Sequence, residues 1–152
     1  MSIDEKVKKA LFDAGISKLA DWLSKKGWQL DIGYFNQDEM HPDVKEVHIS
    51  SRFGLEKQLY SLLHECGHIL VQKNAERYEK SYPATARMNC YATTNRQFEK
   101  SPKYRVDVLA EEIEAWRRGK SLANRLGLYI DEEKYNEFSA KCVYSYIQWA
   151  AK

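Results

Sequence analysis

Residues 55–73 read LEKQLYSLLHECGHILVQK, and this stretch decides the fold. Its apolar residues recur at intervals of three and four, which predicts an amphipathic helix with one buried face. The apolar stripe consists of Leu59, Leu62, Leu63, Cys66, Ile69 and Leu70. Because Cys66 lies on this stripe, we expect it to be a core residue and not a ligand.

Two histidines and a glutamate in this helix have the spacing of a metal site. His64 and His68 are four residues apart, so they share one helix face, where two imidazoles can bind one metal ion. Glu65 follows His64, and from there a carboxylate can accept a proton from metal-bound water. This HExxH pattern predicts a zinc-dependent hydrolase with Glu65 as general base. Gly67 costs about 1 kcal/mol in a helix relative to Ala, so we expect a neighbouring element to pass close to it.

A catalytic zinc needs a third protein ligand and one open position. No histidine follows His68 in the sequence, so a ligand further along the chain is expected to be acidic. A second predicted helix, residues 104–118, carries three candidates, Glu111, Glu112 and Glu114. The apolar residues around them do not separate the three.

The rest of the chain predicts one mostly helical α+β domain, residues 1–152, with a small two- to three-stranded sheet. Helical spacing covers residues 3–26, with Gly15 as a candidate break and Gly27 as the C-terminal cap. Alternating patterns predict strands over residues 28–35 and 44–51, joined by a polar connection.

The second half of the chain predicts a long loop followed by helices. The pattern is weak over residues 74–102, which favours a loop with short helical pieces. Gly119 is expected to close the helix over 104–118, and a short helix follows over 121–126. The last helix is predicted over 132–151, and Asp131 is expected to cap it.

The order of these elements resembles that of minimal zincin metallopeptidases of the gluzincin type, in which a later glutamate is the third ligand. The HExGH helix and the segment Glu112-Ile113-Glu114-Ala115 are similar to those of ImmA/IrrE-like peptidases and of small phage proteins of metallopeptidase type. The resemblance implies that Zn²⁺ is bound by His64, His68 and Glu112. The chain departs at Trp116, where related families often have Asp or Asn, and this leaves Glu111 and Glu114 as alternative ligands.

The resemblance also implies a protein or peptide substrate. In such peptidases the strand before the HExxH helix forms the edge of the cleft, where an extended substrate pairs with it. His48 on that strand would then face the cleft or lie on the surface. A further residue is expected to stabilise the oxyanion. The candidates are Tyr82, Tyr91, Tyr104, Arg105, Tyr144 and Tyr146.

The amino-acid composition limits the classes of binding partner that we expect for this protein. The formal net charge of +2 gives no global argument for nucleic acid or a membrane. Residues 73–105 are locally basic, which fits either a solvated face or a surface for an acidic partner. The alternative function is therefore a zinc-containing binding or regulatory protein, with a degenerate or structural site, that acts near nucleic acid. No apolar run is long enough to span a membrane, and the three cysteines are widely spaced, so we expect reduced thiols and a cytoplasmic location, including that of a host cell.

Overall fold

Helices make up most of the chain, and one small sheet lies between the first two helices in sequence. The computed structural model describes residues 3–89 and 96–152. The elements are, in order, α1 (Ile3–Lys25), β1 (Gln29–Gly33), β2 (Glu39–His41), β3 (Glu46–Ser50), α2 (Leu55–Gln72), α3 (Ala75–Ser81), α4 (Pro83–Asn89), α5 (Arg96–Glu99), α6 (Pro102–Leu126) and α7 (Glu132–Ala150). The expected mostly helical α+β fold with a small sheet is confirmed.

The sheet has three strands in the order β1-β3-β2. β1 runs parallel to β3, and β2 runs antiparallel to it. The two predicted strands correspond to β1 and β3, but β2 lies in the segment expected to be a polar connection. β3 is therefore the central strand, because its backbone pairs on both sides. The expectation that this strand forms the edge of the cleft is wrong, and β2 takes the edge position.

Two glycines have roles that follow from their surroundings in space. Gly15 does not break α1, which continues through it to Lys25. Its lack of a side chain instead allows α1 to lie close to α2, since an added Cβ would be 3.3 Å from the side chain of Leu59. Gly27 does end the helix segment as predicted. Its φ of +81° is in the left-handed region that favours glycine.

The predicted end of α6 at Gly119 is wrong. The helix runs on to Leu126, so the short helix predicted over 121–126 is its last part, and it stops at Gly127, whose φ of +68° caps it. Gly119 serves a close contact, since an added Cβ would lie 2.5 Å from the carbonyl oxygen of Leu63. A glycine that looks like a helix terminator is thus required by packing between two helices.

The core forms where α1, α2, α6 and α7 meet the inner face of the sheet. Its most buried members include Leu19, Leu23, Val47, Ile49, Leu59, Leu62, Leu63, Cys66, Leu122 and Tyr135. Cys66 is completely buried, which confirms its expected place on the apolar stripe. Among the described residues, no helix combines the length and apolarity that a membrane span requires.

The segment over residues 74–102 was expected to be a loop with short helical pieces, and its described part contains the short helices α3, α4 and α5. A buried carboxylate on α6 holds the start of α4, since the backbone N–H of Ala84 donates to Asp107 at 2.8 Å. Asp107 is only 3% exposed, and it also accepts from Lys103 at 2.7 Å. This contact with a distant residue explains why a helix forms where the local sequence pattern is weak.

Candidate metal site and groove

The candidate site forms where α2 crosses α6 at very short range. An added Cβ at Gly67 would lie 1.9 Å from the carbonyl oxygen of Ala115. Gly119 makes the reciprocal approach to Leu63 on α2. Two backbones can come this close only where one of them lacks a side chain. The crossing brings the histidines of α2 against the glutamates of α6.

His64, His68 and Glu112 converge on one point. Nε2 of His64 lies 2.9 Å from Oε2 of Glu112, and Nε2 of His68 lies 3.0 Å from Oε1. The two Nε2 atoms are 3.2 Å apart. His64 and Glu112 are buried, the His68 side chain is 12% exposed, and the ligand atoms of all three lie within 4.8 Å of one another. Two imidazoles and one carboxylate are a donor set that suits Zn²⁺, so the residues fit the expected ion.

Glu111 lies on the other side of the His68 ring. Its Oε2 is 2.6 Å from Nδ1 of His68, and a carboxylate can only accept, so Nδ1 carries the hydrogen. Glu111 also accepts from Tyr78 at 2.5 Å and from Gln72 at 3.1 Å. The carboxylate is thus held by two further donors, and it fixes which nitrogen of His68 faces Glu112.

Tyr78 and Gln72 were missed by the sequence analysis. Gln72 carried a usable signal, because it lies four residues after His68 on the same helix face. Tyr78 carried none, since it lies in the segment expected to be a loop. Glu114, the third candidate ligand, lies apart from the histidines and pairs with Arg117 at 3.3 Å and Arg118 at 3.0 Å.

Buried charge is balanced within this cluster. Burial raises the pKa of Glu112, but hydrogen bonds with His64 and His68 outweigh burial and lower that pKa to about 2. Burial lowers the pKa of His68, yet its bonds with Glu111 and Glu112 raise it to about 10. Burial also lowers the pKa of His64, which has the weaker support from carboxylates. The two glutamates therefore favour a positive charge between them.

Glu65 is a buried carboxyl group beside this cluster. It is 6% exposed and lines the same groove as the histidines. Burial raises its pKa to about 7, and the carboxylates of Glu112, Asp38 and Glu39 act in the same direction. A carboxyl group in this environment exchanges a proton near neutral pH.

Trp116 occupies the place where the peptidase families that the sequence resembles often have an orienting polar side chain. Its ring stacks on His64, with centroids 4.2 Å apart and planes inclined by 19°. Nδ1 of His64 is buried and has no hydrogen-bond partner among the described residues. The two histidines are therefore held differently, His68 by a carboxylate and His64 by aromatic stacking.

A groove of about 1280 Å³ gives access to the cluster. Its lining includes Asp38, Glu39 and Met40 around β2, Tyr78, Pro83 and Arg87 around α3 and α4, and Phe138, Cys142 and Tyr146 on α7. This volume is above the range of about 300–1,000 Å³ that is common for small-molecule pockets. The groove therefore suits a longer ligand.

Tyr146 alone among the described oxyanion candidates lines this groove. Burial raises the pKa of its hydroxyl, and so do the charge of Glu112 and a hydrogen bond to it. Tyr144 is 60% exposed, Tyr104 packs against Phe98 and Trp149, and Arg105 donates to the carbonyl of Trp149 at 3.2 Å. Tyr82 lines a separate depression, and Tyr91 lies outside the described residues.

Comparison with known proteins identifies no relative of this chain. The chain matches no family model, no curated protein and no solved structure. The site residues and their distances are therefore the basis for a functional proposal.

Proposed function

We propose that the protein is a zinc-dependent metallopeptidase that cleaves a protein or peptide substrate bound in the groove. One observation carries this proposal. His64, His68 and Glu112 converge on one point in the wall of a groove that Glu65 also lines. The HExxH helix supplies three of these four groups, and the zincin-like order of elements supports the same function.

The metal would be held by His64, His68 and Glu112. When bound there, zinc supplies Lewis acidity, which polarises a carbonyl group and makes water acidic enough to ionise at a pH of about 7. Glu111 orients His68 for this role through Nδ1. A histidine ligand that donates its other ring N–H to a carboxylate has a fixed tautomer and a fixed ring orientation.

Glu65 carries out the proton transfers of peptide hydrolysis. It accepts a proton from the attacking water while the new C–O bond forms at the scissile carbonyl. It then gives that proton to the amide nitrogen as the C–N bond breaks, so the carboxylate is restored. The hydroxyl of Tyr146 lines the same groove, and it would exchange its hydrogen bond to Glu112 for one to the oxygen that gains negative charge.

β2 offers a place for an extended substrate. It pairs with β3 along one edge, and the described residues put no strand on its other edge. Glu39 and Met40 on this strand line the groove. A substrate segment could therefore add to β2 through backbone hydrogen bonds.

The decisive experiment compares wild-type protein with Glu65→Gln and Glu76→Gln. Glu76 is an exposed glutamate on α3 that does not line the groove, so its variant controls for the loss of one negative charge. Bound zinc is measured by mass spectrometry of the metal, and hydrolysis is measured on a mixture of unstructured peptides. We expect Glu65→Gln to keep zinc and to lose about 10²–10⁴-fold in rate, while Glu76→Gln stays active.

Two results would overturn the proposal. Unchanged hydrolysis in Glu65→Gln would remove the carboxylate from the mechanism. A wild-type protein that binds zinc without cleaving any peptide would favour the alternative, a zinc-containing regulatory protein.

A separate basic depression is the observation that favours an anionic partner. It has a volume of about 650 Å³ and is lined by Lys73, Arg77, Arg118 and Arg125, with Glu114 as its acidic member. Binding of DNA there would weaken steeply with salt, because phosphate contacts release counterions. Retention on DNA that falls between low and high salt, and that is lost in Arg77→Gln, would support this second candidate. Absence of retention at low salt would exclude it.

A further inference from the structure

Two histidines and two glutamates, side chains of the kinds that can bind a metal ion, share the outer face of the hairpin-like pair β2 and β3. Glu39 lies opposite His48 in the antiparallel register, and His41 lies opposite Glu46. The register pairs Met40 with Val47 between them, and Val47 is completely buried. Because side chains alternate along a strand, the other four residues lie on the opposite, outer face of the sheet.

Their side chains are already close together. The rings of His41 and His48 have centroids 4.6 Å apart. Nε2 of His41 is 3.1 Å from Glu39, and Nε2 of His48 is 3.0 Å from Glu46. Ligand atoms of Glu39, His41 and His48 all lie within 4.8 Å of one another. His41 and His48 are diagonal neighbours across the paired strands, a spacing of about 7–8 Å that ring side chains can bridge, so the strand register itself brings the two imidazoles together.

We propose that this face of β2 and β3 binds a second divalent transition-metal ion, held by Glu39, His41 and His48. Imidazole nitrogen and carboxylate oxygen suit Zn²⁺ and its neighbours in the first transition row. Nε2 of each imidazole lies beside a carboxylate oxygen, so nitrogen and oxygen donors are already adjacent in this array. Glu46 completes the set as the partner of His48.

This second site is separate from the histidine cluster of α2. It uses none of the residues of that cluster, so it stands whether or not the protein is a peptidase. Glu39 also lines the groove, which places the second ion at the groove's rim. An ion bound there would link the edge strand to the central strand through their side chains.

The experiment measures zinc stoichiometry after dialysis against buffered free Zn²⁺. Wild-type protein is compared with His41→Gln, His48→Gln and the double variant His64→Gln/His68→Gln. Asp43→Asn is the matched control, because Asp43 is an exposed carboxylate in the connection between β2 and β3 but not part of the array. All variants are checked by circular dichroism, and the two sheet variants are expected to fold because their side chains lie on the outer face.

We expect two zinc ions per wild-type chain and per Asp43→Asn chain. His41→Gln and His48→Gln should each retain one ion, and the α2 double variant should retain the sheet ion. Equal zinc content in wild-type, His41→Gln and His48→Gln would overturn the proposal. A single ion that is lost in His48→Gln and kept in the α2 double variant would support it while contradicting the proposed hydrolytic site.

Discussion

Glu111 and His68 are in contact through Nδ1 of the histidine, so Glu111 differs in role from the neighbouring Glu112. Glu111 lies 2.6 Å from Nδ1 of His68, whereas Glu112 lies 3.0 Å from Nε2 of the same ring. Adjacent carboxylates of one helix therefore hold the two nitrogens of a single imidazole. One of them can orient the ring while the other shares its metal-binding side.

This division predicts a graded loss of zinc affinity among the three glutamates of α6. Glu112→Gln should nearly abolish zinc binding, because it replaces the charged ligand of the proposed site. Glu111→Gln should weaken binding by about 10–100-fold, the usual effect of losing an orienting partner. Glu114→Gln is the control, since that residue pairs only with Arg117 and Arg118 among the contacts of the described chain. Competition with a coloured chelator measures the zinc affinity of each variant. A larger loss of zinc affinity in Glu114→Gln than in Glu111→Gln or Glu112→Gln would contradict the assignment.

Gly67→Ala is predicted to disrupt the crossing of α2 and α6. The new methyl group would lie 1.9 Å from the carbonyl oxygen of Ala115, so the backbones must separate. Forced overpacking costs about 1–3 kcal/mol or more of unfolding free energy, and the movement also separates the histidines from Glu112. Gly54→Ala is the control, because its Cβ would meet nothing within 4 Å. Urea denaturation that gives equal stability for both variants would show that the crossing tolerates a side chain.

Tyr146→Phe is predicted to slow hydrolysis without releasing zinc. Removing one oxyanion donor commonly costs about 10²–10³-fold in kcat. Tyr144→Phe should retain full activity, since that side chain is 60% exposed and does not line the groove. Steady-state kinetics on the peptide mixture, together with zinc content, checks both variants. Full activity in Tyr146→Phe would remove the hydroxyl from the mechanism.

Asp107→Ala is predicted to loosen α4, which forms part of the groove wall. The substitution leaves the N–H of Ala84 without its acceptor, and losing such a cap costs about 0.5–2 kcal/mol. We expect faster proteolytic cleavage within α4, residues 83–89. Lys103→Ala is the control, because it removes only the 64% exposed partner of Asp107, and exposed ion pairs contribute about 0–1 kcal/mol. Equal cleavage rates in the two variants would argue against a role for the buried carboxylate.

Local signals in the sequence determined the elements that carry the site. The stripe of α2 and the four-residue spacing of His64 and His68 depend only on helix geometry, so both could be predicted. The cap at Asp131 is equally local, since its side chain accepts from the N–H of Lys134 at 3.2 Å. Each of these features depends on residues a few positions apart, whose geometry the backbone imposes.

Contacts between distant residues decided the rest. β2 has no apolar alternation of its own and forms because β3 pairs with it, and α6 continues through Gly119 because Leu63 lies against that position. Helical periodicity did not separate Glu112 from Glu111 and Glu114, and only the family resemblance pointed to Glu112, which the crossing of α6 over α2 brings against both histidines. By itself the sequence determined a helix with two histidines on one face. Only the tertiary structure decided which carboxylate lies against these histidines. Adjacent residues of a helix point in different directions, and the packing of α6 on α2 sets which of them faces the histidines.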